Sequence, residues 1–221
     1  MRTRWASPNG VIILSEMATV RILTCPVVLA ALLLGACAKT ITVKTEFPEP
    51  VIQPLPLKVG VYYEEGFSHY TYSEDLPNDA EWTFDLGDAN TKLFDGIFSA
   101  LFNITLPVTG PGGPDPSFAD LDAVIVPAID AFEFSLPRQS HSEQFAVWIR
   151  YNLHIYTPGG TLITSWPVSA YGQSDEQNFG TSAAMQEAVI KAMRDAAASI
   201  VIGFAKEPKI KEALLNEDSE P

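Results

Sequence analysis

Three histidines, His69, His141 and His154, are the side chains best suited to move a proton or hold a metal near neutral pH, and the sequence scatters them. None falls in an HExxH or HxH pattern, the spacings that would bring two imidazoles to one side of a helix or strand. His141 and Glu143 alternate at the entrance of a strand, which is half a metal site and reads more simply as two solvated side chains. No serine occupies a GxSxG elbow, so no nucleophile, base and orienting group stand at a recognisable spacing. The carboxylate pairs Glu64–Glu65 and Glu74–Asp75 sit in polar stretches where water solvates them. The segment "PVTGPGGPDPS", residues 107–117, is as glycine-rich as a phosphate loop but lacks the GK[ST] that would follow one. These patterns predict a protein that is not an enzyme and that holds no cofactor and no metal.

Cysteine chemistry is confined to the start of the chain. Cys25 and Cys37 are the two cysteines, so the rest of the chain has neither a disulfide nor a cysteine metal site. Arg21 precedes the apolar run "ILTCPVVLAALLLGA", which ends in Gly35 and Ala36 just before Cys37. A basic start, a short apolar stretch and small residues at its end describe a secretory signal peptide. The run is near the lower length limit for a membrane span and is interrupted by Pro26. Leu34-Gly35-Ala36-Cys37 resembles the lipobox of bacterial lipoproteins. That resemblance implies that residues 1–36 are removed, that Cys37 takes a diacylglycerol on its thiol, and that its new amine is acylated with a chain such as palmitate. In that family an aspartate after the cysteine retains the protein in the inner membrane. Ala38 stands there, which implies the outer membrane, facing the periplasm. The "MATVR" beginning at Met17 is a more ordinary signal start than the sixteen residues before it.

The formal net charge of −13, from 14 basic and 27 acidic residues, argues against nucleic acid, because a polyanion binder needs a basic face. Residues 37–56 carry Pro48, Pro50, Pro54 and Pro56, and proline at that density favours extended backbone over helix or sheet interior. They read as the lipidated cysteine followed by a spacer able to hold a domain up to ~60 Å from the membrane.

The globular part reads as residues 57–216, an independently folding periplasmic domain, with 217–221 as an acidic tail. "LKVGVYY" alternates as a strand. Asp88 is placed to cap a helix whose Leu93, Phe94, Ile97, Phe98, Leu101 and Phe102 form one apolar face. "DLDAVIVPAIDAFEFSL" is a strand bent at Pro127. Phe145, Val147, Ile149, Tyr151, Leu153 and Ile155 alternate with Ala146, Trp148, Arg150, Asn152, His154 and Tyr156. "TPGG" then turns the chain into a second strand. Thr181 or Ser182 caps a long helix bearing Met185, Val189, Met193, Ala196, Ile200 and Phe204 on one stripe. The sum is an α+β fold: a mixed or antiparallel sheet of about four main strands with two helices packed on one face.

That order, joined to the lipobox, is similar to periplasmic lipoproteins with a TolB-amino-terminal-like domain, such as the curli-secretion and peptidoglycan-synthase-activator families; the similarity is architectural and assigns no functional residue. Phe67, Tyr70, Tyr72 and Trp82, in a polar stretch rich in rings, are candidates for contact with another cell-envelope protein, since aromatic residues are enriched at interfaces. Their competing role is to cover a sheet edge. The expected function is that of a membrane-anchored, non-enzymatic assembly or accessory factor. Its alternative is a carrier of a lipid or other apolar ligand. A solid core with an exposed aromatic patch favours the first, and an apolar cavity favours the second.

Overall fold

The computed structural model describes residues 38–44, 46–48, 50–77, 79–140, 143–175 and 180–216. The signal segment, Cys37, His141 and the acidic tail lie outside the described residues. From Ala38 onward the chain is one compact unit that closes its own core.

Eight strands follow in order: β1 (Lys39–Thr42), β2 (Leu55–Val61), β3 (Thr71–Asp75), β4 (Glu81–Asp85), β5 (Phe102–Pro107), β6 (Ala123–Ser135), β7 (Gln144–Tyr156) and β8 (Leu162–Asp175). Two long helices, α1 (Gly87–Leu101) and α2 (Thr181–Gly203), complete the frame. The larger sheet is mixed, in the order β5-β2-β6-β7-β8, with β2 parallel to both its neighbours and the β6-β7-β8 meander antiparallel. The smaller sheet has the order β1-β4-β3, with β1 parallel to β4. The fold is α+β, with a fifth strand in the main sheet and a second sheet beyond what periodicity had indicated.

The β7–β8 hairpin shows how pattern becomes packing. Odd residues Phe145 to Ile155 are buried on one face, while Trp148, Arg150, Asn152, His154 and Tyr156 point to the other. The turn after Tyr156 closes with the Thr157 N–H donating to the Thr161 carbonyl at 2.8 Å, and Gly160 takes the positive φ of 87° that a side chain would resist. Over the buried face, α2 lays Ala184, Ala188 and Ala192 across β8 at Gly172. A Cβ on Gly172 would stand 2.1 Å from the Ala188 carbonyl oxygen, so glycine there sets how close helix and sheet can come. α1 packs beside α2 on the same face, with Phe94 edge-on to Tyr151 at 5.2 Å and Phe102 against Phe204 at 5.0 Å. The small sheet covers the rest of this face through Phe84, whose ring lies 4.8 Å from Phe132 and 4.9 Å from Phe134.

Several boundaries differ from expectation. The domain does not begin at Leu57 behind a free spacer. Lys39–Thr42 form a strand, Ile41 and Val43 are buried in the core, and Phe47 packs against it. An apolar side chain gains about 1.5–3 kcal/mol on burial, so Ile41 on the strand and Val43 just after it hold this segment against the core. Leu86, not Asp88, holds the N-cap of α1, and Asp88 lies in the first turn, where a carboxylate favours the helix dipole. Gly180, with φ 74°, precedes α2 in place of a side-chain cap. The irregularity of β6 falls between Ile129 and Ala131 rather than at Pro127. Phe102 ends the helix by opening β5.

Candidate functional site

Aromatic rings expected at an interface are drawn largely into the core. Phe67, on a helical turn (Glu65–Ser68), is 3% exposed, stacks on Tyr63 at 5.6 Å and meets Phe94 edge-on at 5.3 Å. Trp82 is fully buried in β4, with Phe134 at 5.9 Å and the Lys39 ammonium 4.6 Å from its ring centre. Tyr70 and Tyr72 are half-buried and packed on the core. Tyr72 lies 5.1 Å from Phe132 and donates its hydroxyl to Glu74 at 2.7 Å. Desolvation, with the neighbouring Glu74 carboxylate, pushes its phenol up to about 12. The reading of these four residues as an exposed contact patch is therefore corrected: a short strand with one ring per turn of the pleat does not reveal which face another element will cover.

Polar groups that could do chemistry are dispersed. His69 is exposed, with Nδ1 3.2 Å from Ser68 Oγ, and His154 pairs its Nδ1 with Ser165 Oγ at 2.8 Å on the far face of the sheet. Among the described residues no three His, Cys, Asp or Glu side chains form a group able to hold a metal. Deep in the core the Tyr151 hydroxyl donates to Asn90 Oδ1 at 2.8 Å, and burial raises that phenol well beyond its ordinary range. This pair joins α1 to β7.

Two surfaces stand out instead. The first is the face of the large sheet opposite the helices. Its end near β6 is roofed by residues 108–122, which bring Val108, Phe118 and Leu121 onto Val124 and Val126. Its other end is open among the described residues. There Trp148 and Tyr171, cross-strand partners on β7 and β8, expose 44% and 40% of their surface with ring centres 5.1 Å apart. Arg150 is the next outward residue of β7, 3.8 Å from Asp130, and with Trp148, Glu133 and Ser169 it lines a shallow trough of about 260 Å³. The signal for this site was present in the alternation of the hairpin, which set Trp148 and Arg150 on its outward row.

The second surface is an apolar cleft of about 340 Å³ where α1 and α2 meet under the proline-rich strap. Leu93, Gly96 and Ile97 of α1 face Val201 and Ile202 of α2, and Phe47 and Pro50 of the strap form its side. Among the described residues Arg194 is the charged one on its lining.

No protein-family model and no curated protein matches the chain. Solved structures do. A Xanthomonas campestris protein of the family model DUF330 superposes with a TM-score of 0.46 at 13% identity, over 74% of this chain and 91% of its own. A minor lipoprotein from Acinetobacter baumannii superposes at 0.40 and 9% identity, over 71% of this chain and 96% of its own. The structural neighbours thus include a bacterial lipoprotein, and likeness at this level carries no argument about activity.

Proposed function

We propose that the protein is a lipid-anchored, non-enzymatic accessory factor of the bacterial envelope that binds another envelope protein through the open face of its large sheet. The observation that carries this reading is the exposed Trp148–Tyr171 pair beside Arg150. Large rings that stay in water forgo the burial that drew rings such as Trp82 and Phe67 into the core, and Trp, Tyr and Arg are the residues that most often dominate binding at protein interfaces. The anchor is Cys37, acylated and held in the outer membrane on the periplasmic side. In the sequence only Ala38 separates it from β1, so the proline-rich segment follows the first strand of the domain and is not a spacer between anchor and domain.

The test replaces Trp148 and Tyr171 together by alanine and compares proteins recovered with the acylated chain from envelope membranes. Because both rings are substantially exposed, the melting temperature should hold while one partner present with the wild type is lost. Recovery of the same proteins by both chains would refute the assignment of this face.

A further inference from the structure

We infer that the cleft between α1 and α2 binds a single-chain anionic amphiphile, its hydrocarbon along Leu93, Ile97 and Val201 and its head group at Arg194. The proposal stands apart from the partner-binding reading, which concerns the opposite face of the sheet.

The cleft is wide enough for part of an acyl chain. Its volume of about 340 Å³ falls in the range of small-ligand pockets, and the side chains on its walls are apolar. Gly96 keeps it open: a Cβ built there meets nothing within 4 Å, so the missing side chain leaves space rather than a close helix contact. Ile202 on the rim is 62% exposed, an apolar side chain left in water beside apolar walls. A hydrocarbon laid between them would remove that surface from solvent, at about 0.8 kcal/mol per methylene buried.

Charge selects the head group. The protein carries −13 overall, yet among the described residues the charged one lining this cleft is an arginine. No ion pair among the described residues involves Arg194. A guanidinium with free donors is matched by a carboxylate or phosphate, which it can grip with two parallel hydrogen bonds.

Position along α2 separates the cleft from β1. Thr181 lines a recess with Lys39, and the Gln186 side-chain amide donates to the Thr42 carbonyl at 3.4 Å, so β1 runs alongside the first turns of α2. Lys39, the first residue of β1, therefore lies at the N-terminal end of α2. Arg194 lies thirteen residues further along than Thr181, about 20 Å at the helical rise, and Val201 about 30 Å. The cleft thus lies along the distal half of α2, away from the turns that β1 covers. What occupies it is an amphiphile withdrawn from a membrane or taken from the aqueous phase.

The experiment titrates the delipidated chain 38–221, the unit that closes its own core, with the fluorescent fatty acid cis-parinaric acid. Saturable one-to-one binding is expected. Gly96→Trp, which fills the cleft, should abolish it without lowering the melting temperature, and Ala198→Trp serves as a second filling variant if the first unfolds. Arg194→Glu should weaken binding about tenfold, and Arg194→Lys, which keeps the charge but not the paired donors, should weaken it by less. Palmitate and lysophosphatidylglycerol are then compared as competitors: the better one identifies the head group as carboxylate or phosphate, and uncharged hexadecanol should compete less well than either. Trp148→Ala with Tyr171→Ala should leave the titration unchanged, so failure here is distinguishable from failure of the partner-binding reading. The proposal is overturned by non-saturable uptake, by binding indifferent to both the filling and the charge variants, or by hexadecanol competing as well as the acids. Loss of a protein partner in Gly96→Trp with no fatty-acid binding by the wild type would make the cleft a protein contact and would equally overturn it.

Discussion

Asp79 joins the start of β1, the lead-in to β4 and the segment after β6 through one carboxylate. Its carboxylate accepts a hydrogen bond from Lys39 Nζ at 3.0 Å, pairs with the Arg138 guanidinium, and accepts the Ala80 backbone N–H at 2.7 Å. The side chain is nine-tenths buried, and the Ala80 bond, aided by the two cations, holds its carboxyl below the ordinary 3.8. A carboxyl whose pKa falls on folding stabilises the native state above the unfolded value and loses that contribution as pH drops through the folded one. Asp79→Asn should therefore cost about 2 kcal/mol at pH 7, less than a fully enclosed network because Arg138 is largely exposed. The gap to the wild type should close as pH falls below the ordinary carboxylate range. Denaturant unfolding of both chains over a pH series measures it, and a gap that stays constant would show that the charge on Asp79 is immaterial.

At the scale of elements, β1 is the piece whose removal is most informative. It pairs with β4 from Lys39 opposite Trp82 to Thr42 opposite Asp85, and it buries Ile41 while Val43 follows into the core. Starting the chain at Leu57 deletes both side chains and uncovers one edge of β4, the strand that carries Trp82 and Phe84. Losing two buried aliphatic side chains costs about 3–6 kcal/mol, a large part of the 5–15 kcal/mol that holds a typical domain together. We expect the chain 38–216 to melt cooperatively and the chain 57–216 to melt far lower or to populate an unfolded form at room temperature. Equal melting temperatures would mean that β1 is an accessory to the core rather than part of it.

For the whole molecule, a −13 protein is repelled by an anionic bilayer, and Lys39 and Arg138, the cations beside the start of β1, are already paired with Asp79. Membrane residence should then depend on the covalent anchor. Cys37→Ala is expected to leave the protein unprocessed or soluble in the periplasm, and the wild type to sediment with the outer membrane and to carry acyl chains detectable by mass spectrometry. Two acyl chains anchor stably and a weak surface attraction does not. Outer-membrane sedimentation of the variant at the wild-type level would remove the anchor from the account.

What the sequence determined by itself is whatever each element's own apolar period decides. The alternation from Phe145 to Ile155 places one face of β7 in the core, and the spacing of Leu93, Phe94, Ile97 and Phe98 does the same for α1, because burial there needs only a partner of some kind. The outward row holding Trp148 and Arg150 follows from the same alternation. Tertiary structure decided the rest. β1 and β5 are short, carry no sustained period and pair in parallel with strands distant in sequence, so no local signal marks them. Whether a given ring is core or surface was settled the same way. Trp82 and Phe67 are buried because β6 and α1 supply the rings Phe134 and Phe94 that close over them. Trp148 stays in water because the 108–122 segment roofs only the other end of its face. A side chain's own chemistry makes it willing to be buried, but only the element that arrives opposite it decides whether it is.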